Sequence, residues 1–362
     1  MTLVTGLAAH VAILIFGRRR LWLTLLATGL AIAPMAASPL SVAAAVVQVC
    51  PSGCAFTTIQ DALASAGNGD EIDIAAGTYS GGFTISVNVA LVGSGAGSTV
   101  VTGGGPVMTV APGAAVAVSS LSVTGGNNPG GVGGGISNFG LLTLTNIVVT
   151  GNGAGYGAGI WNTAVLALDG IVSNNTATAN GGGILNRPSG LVTISNSSIS
   201  GNVAGGNGAG IHNVGTMSIN SSSVTNNSIG GSGYGGGISN RGSLRASDSS
   251  IAGNSGGAGG GGVANFNMSG GAAGIEGTTT TPGTASLSNT QIAGNTAAYG
   301  GGIIQLGGNL TIVGGLVDFN TASVDGGGIF LTDGVVTLVN SSLASNSPDN
   351  CAPPNSIARC TG

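Results

Sequence analysis

The sequence predicts an all-β chain wound as a right-handed parallel β-helix solenoid of about ten coils behind an N-terminal capping helix. Three repeating marks carry this reading. The first is an aliphatic residue followed three places later by asparagine: Val149 and Asn152, Val172 and Asn175, Ile199 and Asn202, Val224 and Asn227, Ile251 and Asn254, Ile292 and Asn295, Val317 and Asn320, Leu343 and Asn346. The interval is 23 to 27 residues except for the 41 between Asn254 and Asn295, where an insertion is expected. The second mark is a glycine-rich step ending in an aliphatic residue, at Ile136, Ile160, Ile184, Ile211, Ile238, Val263, Ile303 and Ile329. In the first six coils asparagine follows two places later, from Asn138 to Asn265. The third is an alternating apolar pair, as in Leu142 and Leu144, Val192 and Ile194, or Leu310 and Ile312. Period two is the strand signal, and chain sterics favour the right-handed crossover.

Three short strands per coil leave the corners to glycine and asparagine, which tolerate left-handed backbone. At the ~4.8 Å strand spacing, asparagines stacked at one position can each donate to one neighbour and accept from the other. The eight asparagines from Asn152 to Asn346 are therefore expected to form a ladder. A disordered Gly-Ser-Asn linker would not hold aliphatic residues in fixed phase, and only 5% of the chain is charged.

The chain then divides in order. Residues 1–45 read as a signal peptide: Arg18 to Arg20 are basic, Leu21 to Ala33 apolar, and Ala43 with Ala45 a cleavage site. A membrane contact is expected only through this segment if it stays uncleaved. Its removal leaves four arginines against eleven carboxylates, a net charge of about −7 and no lysine, which speaks against a nucleic-acid partner. Residues 46–70 form a cap in which Ile59, Ala62, Leu63 and Ala66 share a helical face and Thr58 with Asp61 forms a capping box. The β-helix occupies 71–346, with regular repeats over 133–346 and the insertion over about 266–282. Residues 347–362 are a tail.

Cysteines occur only at the two ends, Cys50 with Cys54 and Cys351 with Cys360. A rod of about ten coils separates its ends by roughly 50 Å, whereas a disulfide needs Cα atoms within ~7 Å. Two local disulfides are expected, with free thiols or a metal site as the alternative.

The segment GDEIDIAAGTY and the following FTISVNVALVGSGAG resemble the N-terminal cap and first coil of secreted bacterial pectin-lyase-like β-helix proteins. The GGGI step and the aliphatic-x-x-Asn mark are similar to the GGAI and FxxN repeats of chlamydial polymorphic outer-membrane proteins, with Val, Ile or Leu in place of Phe. No autotransporter barrel is expected, since about sixteen residues follow Asn346. The SPDNC tail resembles the disulfide-closed ends of other exported β-helices. A secreted or cell-surface location in a bacterium is what these resemblances imply.

They also imply that any chemistry sits on an outward strand face and its loops. The expected face is the residue after each glycine-step aliphatic: Ser137, Trp161, Leu185, His212, Ser239, Ala264, Ile304 and Phe330. His212 is its one ionisable group, so a catalytic role could fall only there, and no carboxylate pair is present for hydrolysis. Arg187 and Arg241 lie on either side of the His212 coil and, with the insertion, mark an edge suited to an acidic polysaccharide or cell-surface glycan. Tyr156, Tyr234 and Tyr299, with Trp161, are candidates for a sugar-stacking strip. No cofactor or metal is expected. Asp318, Asp325 and Asp333, in the last two coils, are a candidate group for Ca²⁺, although their spacing matches no calcium loop. The sequons at Asn196 and Asn340 fall on what reads as an inward corner, which disfavours glycosylation.

The function these residues favour is a secreted, non-catalytic surface or adhesive scaffold that contacts glycans. The alternatives are a polysaccharide lyase or glycoside hydrolase of the pectin-lyase-like type, and an ice-binding solenoid. Flat Thr-x-Thr arrays would mark the last, and the expected face lacks them.

Overall fold

The computed structural model describes residues 44–267 and 282–360. The expected signal segment, apart from Ala44 and Ala45, and the insertion, apart from Phe266, Asn267 and Pro282, lie outside the described residues. Among those described, no helix is long and apolar enough to cross a membrane.

Each regular coil consists of three strands, as in Ile184–Asn186, Leu191–Ser195 and Ser198–Ser200. Every strand pairs in parallel with its counterpart one coil on, so that Ile184 meets Ile211, Val192 meets Met217 and Ile199 meets Val224. The result is a right-handed parallel β-helix of about 11 turns, in line with the about ten coils expected. The earlier coils, with strands such as Asp70–Ile74, Gly77–Ser80 and Phe83–Ile85, stack in the same columns without carrying the marks.

Alternation puts four aliphatic side chains of each coil inside. Ile184, Val192, Ile194 and Ile199 are wholly buried. Each contributes about 1.5–3 kcal/mol, an upper figure because the unfolded chain already hides some apolar surface.

The three corners all use left-handed backbone. Before each ladder asparagine stands a residue with φ between +53° and +66°: Gly151, Asn174, Gly201, Asn226, Gly253, Gly294, Phe319 and Ser345. The ladder asparagine itself is free to turn its amide inward. Asn175 shows the pattern: its Nδ2 donates to Asn202 Oδ1 at 2.9 Å and to Val149 O at 3.1 Å, while its backbone N–H donates to the same Asn202 oxygen at 3.0 Å. The column continues to Asn346, which donates to Asn350 Oδ1. Each amide thus satisfies backbone groups that the turn leaves unpaired.

A second ladder runs down the glycine-step strands. Asn138, Asn162, Asn186, Asn213, Asn240 and Asn265 donate each to the next at 2.7–2.9 Å, and Gln305 closes the column by accepting from Asn265 at 3.1 Å. A shorter column of hydroxyls marks the remaining corner: Ser197 N donates to Ser222 Oγ, and Ser222 N to Ser249 Oγ. The residue before each of these serines, including Asn196 at φ +50°, is left-handed and turned outward. Asn340 occupies the same position and is exposed, so the two sequons sit on an outer corner rather than the inward one.

Both ends are closed. The helix Ile59–Ser65 is N-capped by Thr58, whose Oγ1 accepts from Asp61 N, and it buries Ile59, Ala62 and Leu63 over the first coils. At the other end the strand Cys351–Ala352 continues the column of Ile329, and Ile357 is buried. Cys50–Cys54 and Cys351–Cys360 are disulfide-bonded, as expected.

Candidate functional site

The face expected to carry chemistry is covered. Ser137, Trp161, Leu185, His212, Ser239, Ala264 and Ile304 are at most 3% exposed, and Phe330 is half-buried. The cause is the glycine step. Its first glycine is left-handed, with Gly157, Gly181, Gly208, Gly260 and Gly326 at φ +55° to +70°, and folds the chain back over the side chain four residues later. A Cβ on Gly181 would fall 2.7 Å from Leu185 Cβ, and one on Gly208 would fall 2.8 Å from His212 Cα. Outside these turns runs an additional five-stranded parallel sheet made from the segments after the first ladder, including Gly153–Tyr156 and Thr176–Ala177. His212 is therefore a second-layer core residue and not an exposed strand residue, and Trp161 cannot stack on a ligand. Trp161 Nε1 and Ser239 Oγ are buried without a hydrogen-bond partner, which is not how a catalytic network is built.

The tyrosines and Trp161 expected to form a stacking strip, and the arginines expected to mark an edge, fall into separate mixed clusters. Arg187 lies over the Trp161 ring at 5.4 Å, and Tyr156 meets that ring edge-on at 6.5 Å. Arg241 lies over Phe266 at 5.2 Å, and Tyr234 packs edge-on against Phe266 at 5.5 Å. Tyr299, 38% exposed, packs on Phe330 at 5.0 Å. The tyrosines thus mainly cover the outer layer. Both arginines are half-buried and two coils apart, roughly 10 Å along the axis.

Among the described residues the carboxyls give no catalytic pair either. Burial first, then the charge and hydrogen bond of Asp73, push the Glu71 carboxyl above its usual range. Asp349 is pushed up by burial, then by its hydrogen bond to Asp325 and that group's charge, against the lowering effect of the Gly326 and Gly327 amides. In both pairs the neighbouring carboxyl adds to the upward shift that burial begins. The Ca²⁺ candidates are not brought together. Asp318 is buried, Asp325 pairs with Asp349, and Asp333 is exposed and accepts from Gly334 N. Among the described residues, no three metal-ligating side chains form a group.

Among the described residues, a long groove lies on a corner that the expected face does not include. Where the second and third strands of each coil meet, a groove of about 1000 Å³ runs from Asn146 and Val148, past Asp169 and Ile171, to Asp248 and Gln291. Its rim repeats a polar residue six places before each ladder asparagine, seen as Asn146, Asp169, Asn196, Ser221, Asp248 and Asn289. That periodicity was available in the sequence and is the signal that would have found it. Beside it, the broad outer face of the second strand holds Thr143, Thr193, Ser218, Ser286 and Thr311 in register, interrupted by Ala167 and Arg245. Hydroxyl rows therefore exist, on a different face from the one expected.

No family model and no curated protein matches the chain. Among solved structures it is similar to the pectate lyase Pel9A, at 16% identity over 86% of this chain and 81% of that one, with a TM-score of 0.49. It is also similar to the pectin methylesterase PemA from Erwinia chrysanthemi (15% identity, 73% and 80% covered, TM-score 0.41). The A-module of the Azotobacter vinelandii mannuronan C-5 epimerase AlgE4 gives 15%, 79% and 92%, and 0.42. These likenesses concern the β-helix fold.

Proposed function

We propose that this chain is a secreted, non-catalytic β-helix scaffold of the bacterial surface that contacts polysaccharide through its outer faces. The observation that carries the reading is the closure of the glycine-step face, which leaves His212 with no exposed surface. What stays open is a rigid rod of hydroxyl, amide and aliphatic groups, suited to adhesion along a polymer rather than to bond cleavage. A second reading places an acidic polysaccharide at Arg187 and Arg241. Its support is that both guanidiniums lie over aromatic rings on residues that are only half-buried.

The test is a glycan array of neutral and uronate polymers combined with a turnover assay on the same polymers. Binding without turnover is the expected result. Release of ultraviolet-absorbing unsaturated uronates, or of reducing ends, would replace the scaffold with a polysaccharide lyase or glycoside hydrolase. Thermal hysteresis without glycan binding would point to the ice-binding alternative and its hydroxyl rows.

A further inference from the structure

We propose that the groove between the second and third strands is the carbohydrate site, and that it takes a linear, neutral polysaccharide along the rod axis. This rests on the scaffold reading and names its ligand class. The groove spans six coils from Asn146 to Asn289, a length of roughly 24 Å at the strand spacing. A site that follows the coil repeat in this way fits an extended polymer better than a compact molecule.

The lining sets the chemistry. Asn146, Asn196, Ser223, Ser250 and Gln291 make no side-chain hydrogen bond to any other described residue, so their amides and hydroxyls face the groove unspent. They differ from Ser197, Ser222 and Ser249, whose hydroxyls are committed to the backbone of neighbouring strands. Ile171, 42% exposed, and Val148 give the same wall an aliphatic stripe for the C–H face of a sugar ring. The charged residues of the lining are Asp169 and Asp248, with no arginine between them. A uronate or sulfated chain would place like charges beside both carboxylates. They stand three coils apart, roughly 14 Å, too far to share a cation or to act as a hydrolytic pair.

The experiment measures affinity of the secreted protein for cellohexaose, xylohexaose, mannohexaose and hexagalacturonate by calorimetry. Wild type is expected to bind at least one neutral oligosaccharide and to bind hexagalacturonate at least tenfold less tightly. Ser223→Trp, which fills the groove mid-way, is expected to lower that affinity tenfold or more. Gln291→Ala, at the exposed end, should lower it two- to fivefold. Thr193→Trp on the flat outer face should leave it unchanged, and equal melting temperatures confirm that all three variants fold. Neutral binding that survives Ser223→Trp overturns the groove while leaving the scaffold reading intact. Binding of hexagalacturonate alone, lost in Arg187→Ala with Arg241→Ala, overturns the groove in favour of the arginine edge. Absence of binding to all four sugars overturns the inference and the carbohydrate reading together.

Discussion

Asn202 Nδ2 donates to Asn227 Oδ1 at 3.0 Å, and the Asn202 backbone N–H donates to the same oxygen at 3.0 Å. One amide oxygen thereby terminates two donors of the preceding coil, inside a corner that water does not reach.

Asn202→Ala should therefore destabilise the protein by about 1–3 kcal/mol, because it strands Asn175 N–H and Val172 O in the interior. Thr193→Ala, on the exposed sheet, should stay within about 0.5 kcal/mol. Equal unfolding midpoints in urea would remove the energetic role of the ladder. Asn207 would be a poor control, since its Oδ1 accepts from Tyr234 N at 2.9 Å.

The second ladder should be as sensitive as the first. Asn213→Ala removes donors to Asn240 Oδ1 at 2.8 Å and to two backbone carbonyls, with an expected cost of about 1–3 kcal/mol. A midpoint indistinguishable from wild type would make this column incidental.

The glycine turn over His212 gives a chemical readout. Wild-type His212 should resist acylation by diethyl pyrocarbonate, because it has no exposed surface. Gly208→Val places a side chain at φ +64° and 2.3 Å from Ile211 O, which the turn cannot absorb without lifting. His212 should then react, as read by peptide mass spectrometry. Rapid modification of the native protein would contradict the covered face.

Stability of the C-terminal end should depend on pH through Asp349. Its folded pKa is raised, so the folded state holds the proton more tightly than the unfolded chain. The stabilisation is complete below the ordinary carboxylate range and is lost as pH rises through the raised folded value. Asp349→Asn cannot ionise, and it should flatten the fall in melting temperature between acid and neutral pH. An identical slope in wild type and variant would assign that dependence elsewhere, for instance to Glu71, which is raised in the same direction.

The fold was legible because inward positions repeat in phase: Val192, Ile194 and Ile199 recur as Leu244, Ala246 and Ile251 two coils on. The first ladder was legible for the same reason. The covered face was misread because a glycine triplet is equally consistent with an open corner and with a turn folded back over the strand. A clue lay in the column itself, since Leu185, Ala264, Ile304 and Phe330 are a poor composition for a solvated surface. Which corner residue is left-handed was not legible: Gly201 and Asn226 take that position, one place before the ladder residues Asn202 and Asn227. Periodicity locates the corner, but only backbone geometry says which of its two residues bends.

Because Asn202 and Asn227 are interchangeable rungs 25 residues apart, the rod behaves as a ruler with a fixed graduation. Excising residues 203–227 would join Asn202 to Ser228, restore each column with one rung fewer and shorten the molecule by one step of ~4.8 Å. Duplicating the same segment would lengthen it by one step. Neither change touches the helix at Ile59–Ser65 or the disulfide loop at Cys351–Cys360, so reach can be set independently of how the two ends are sealed.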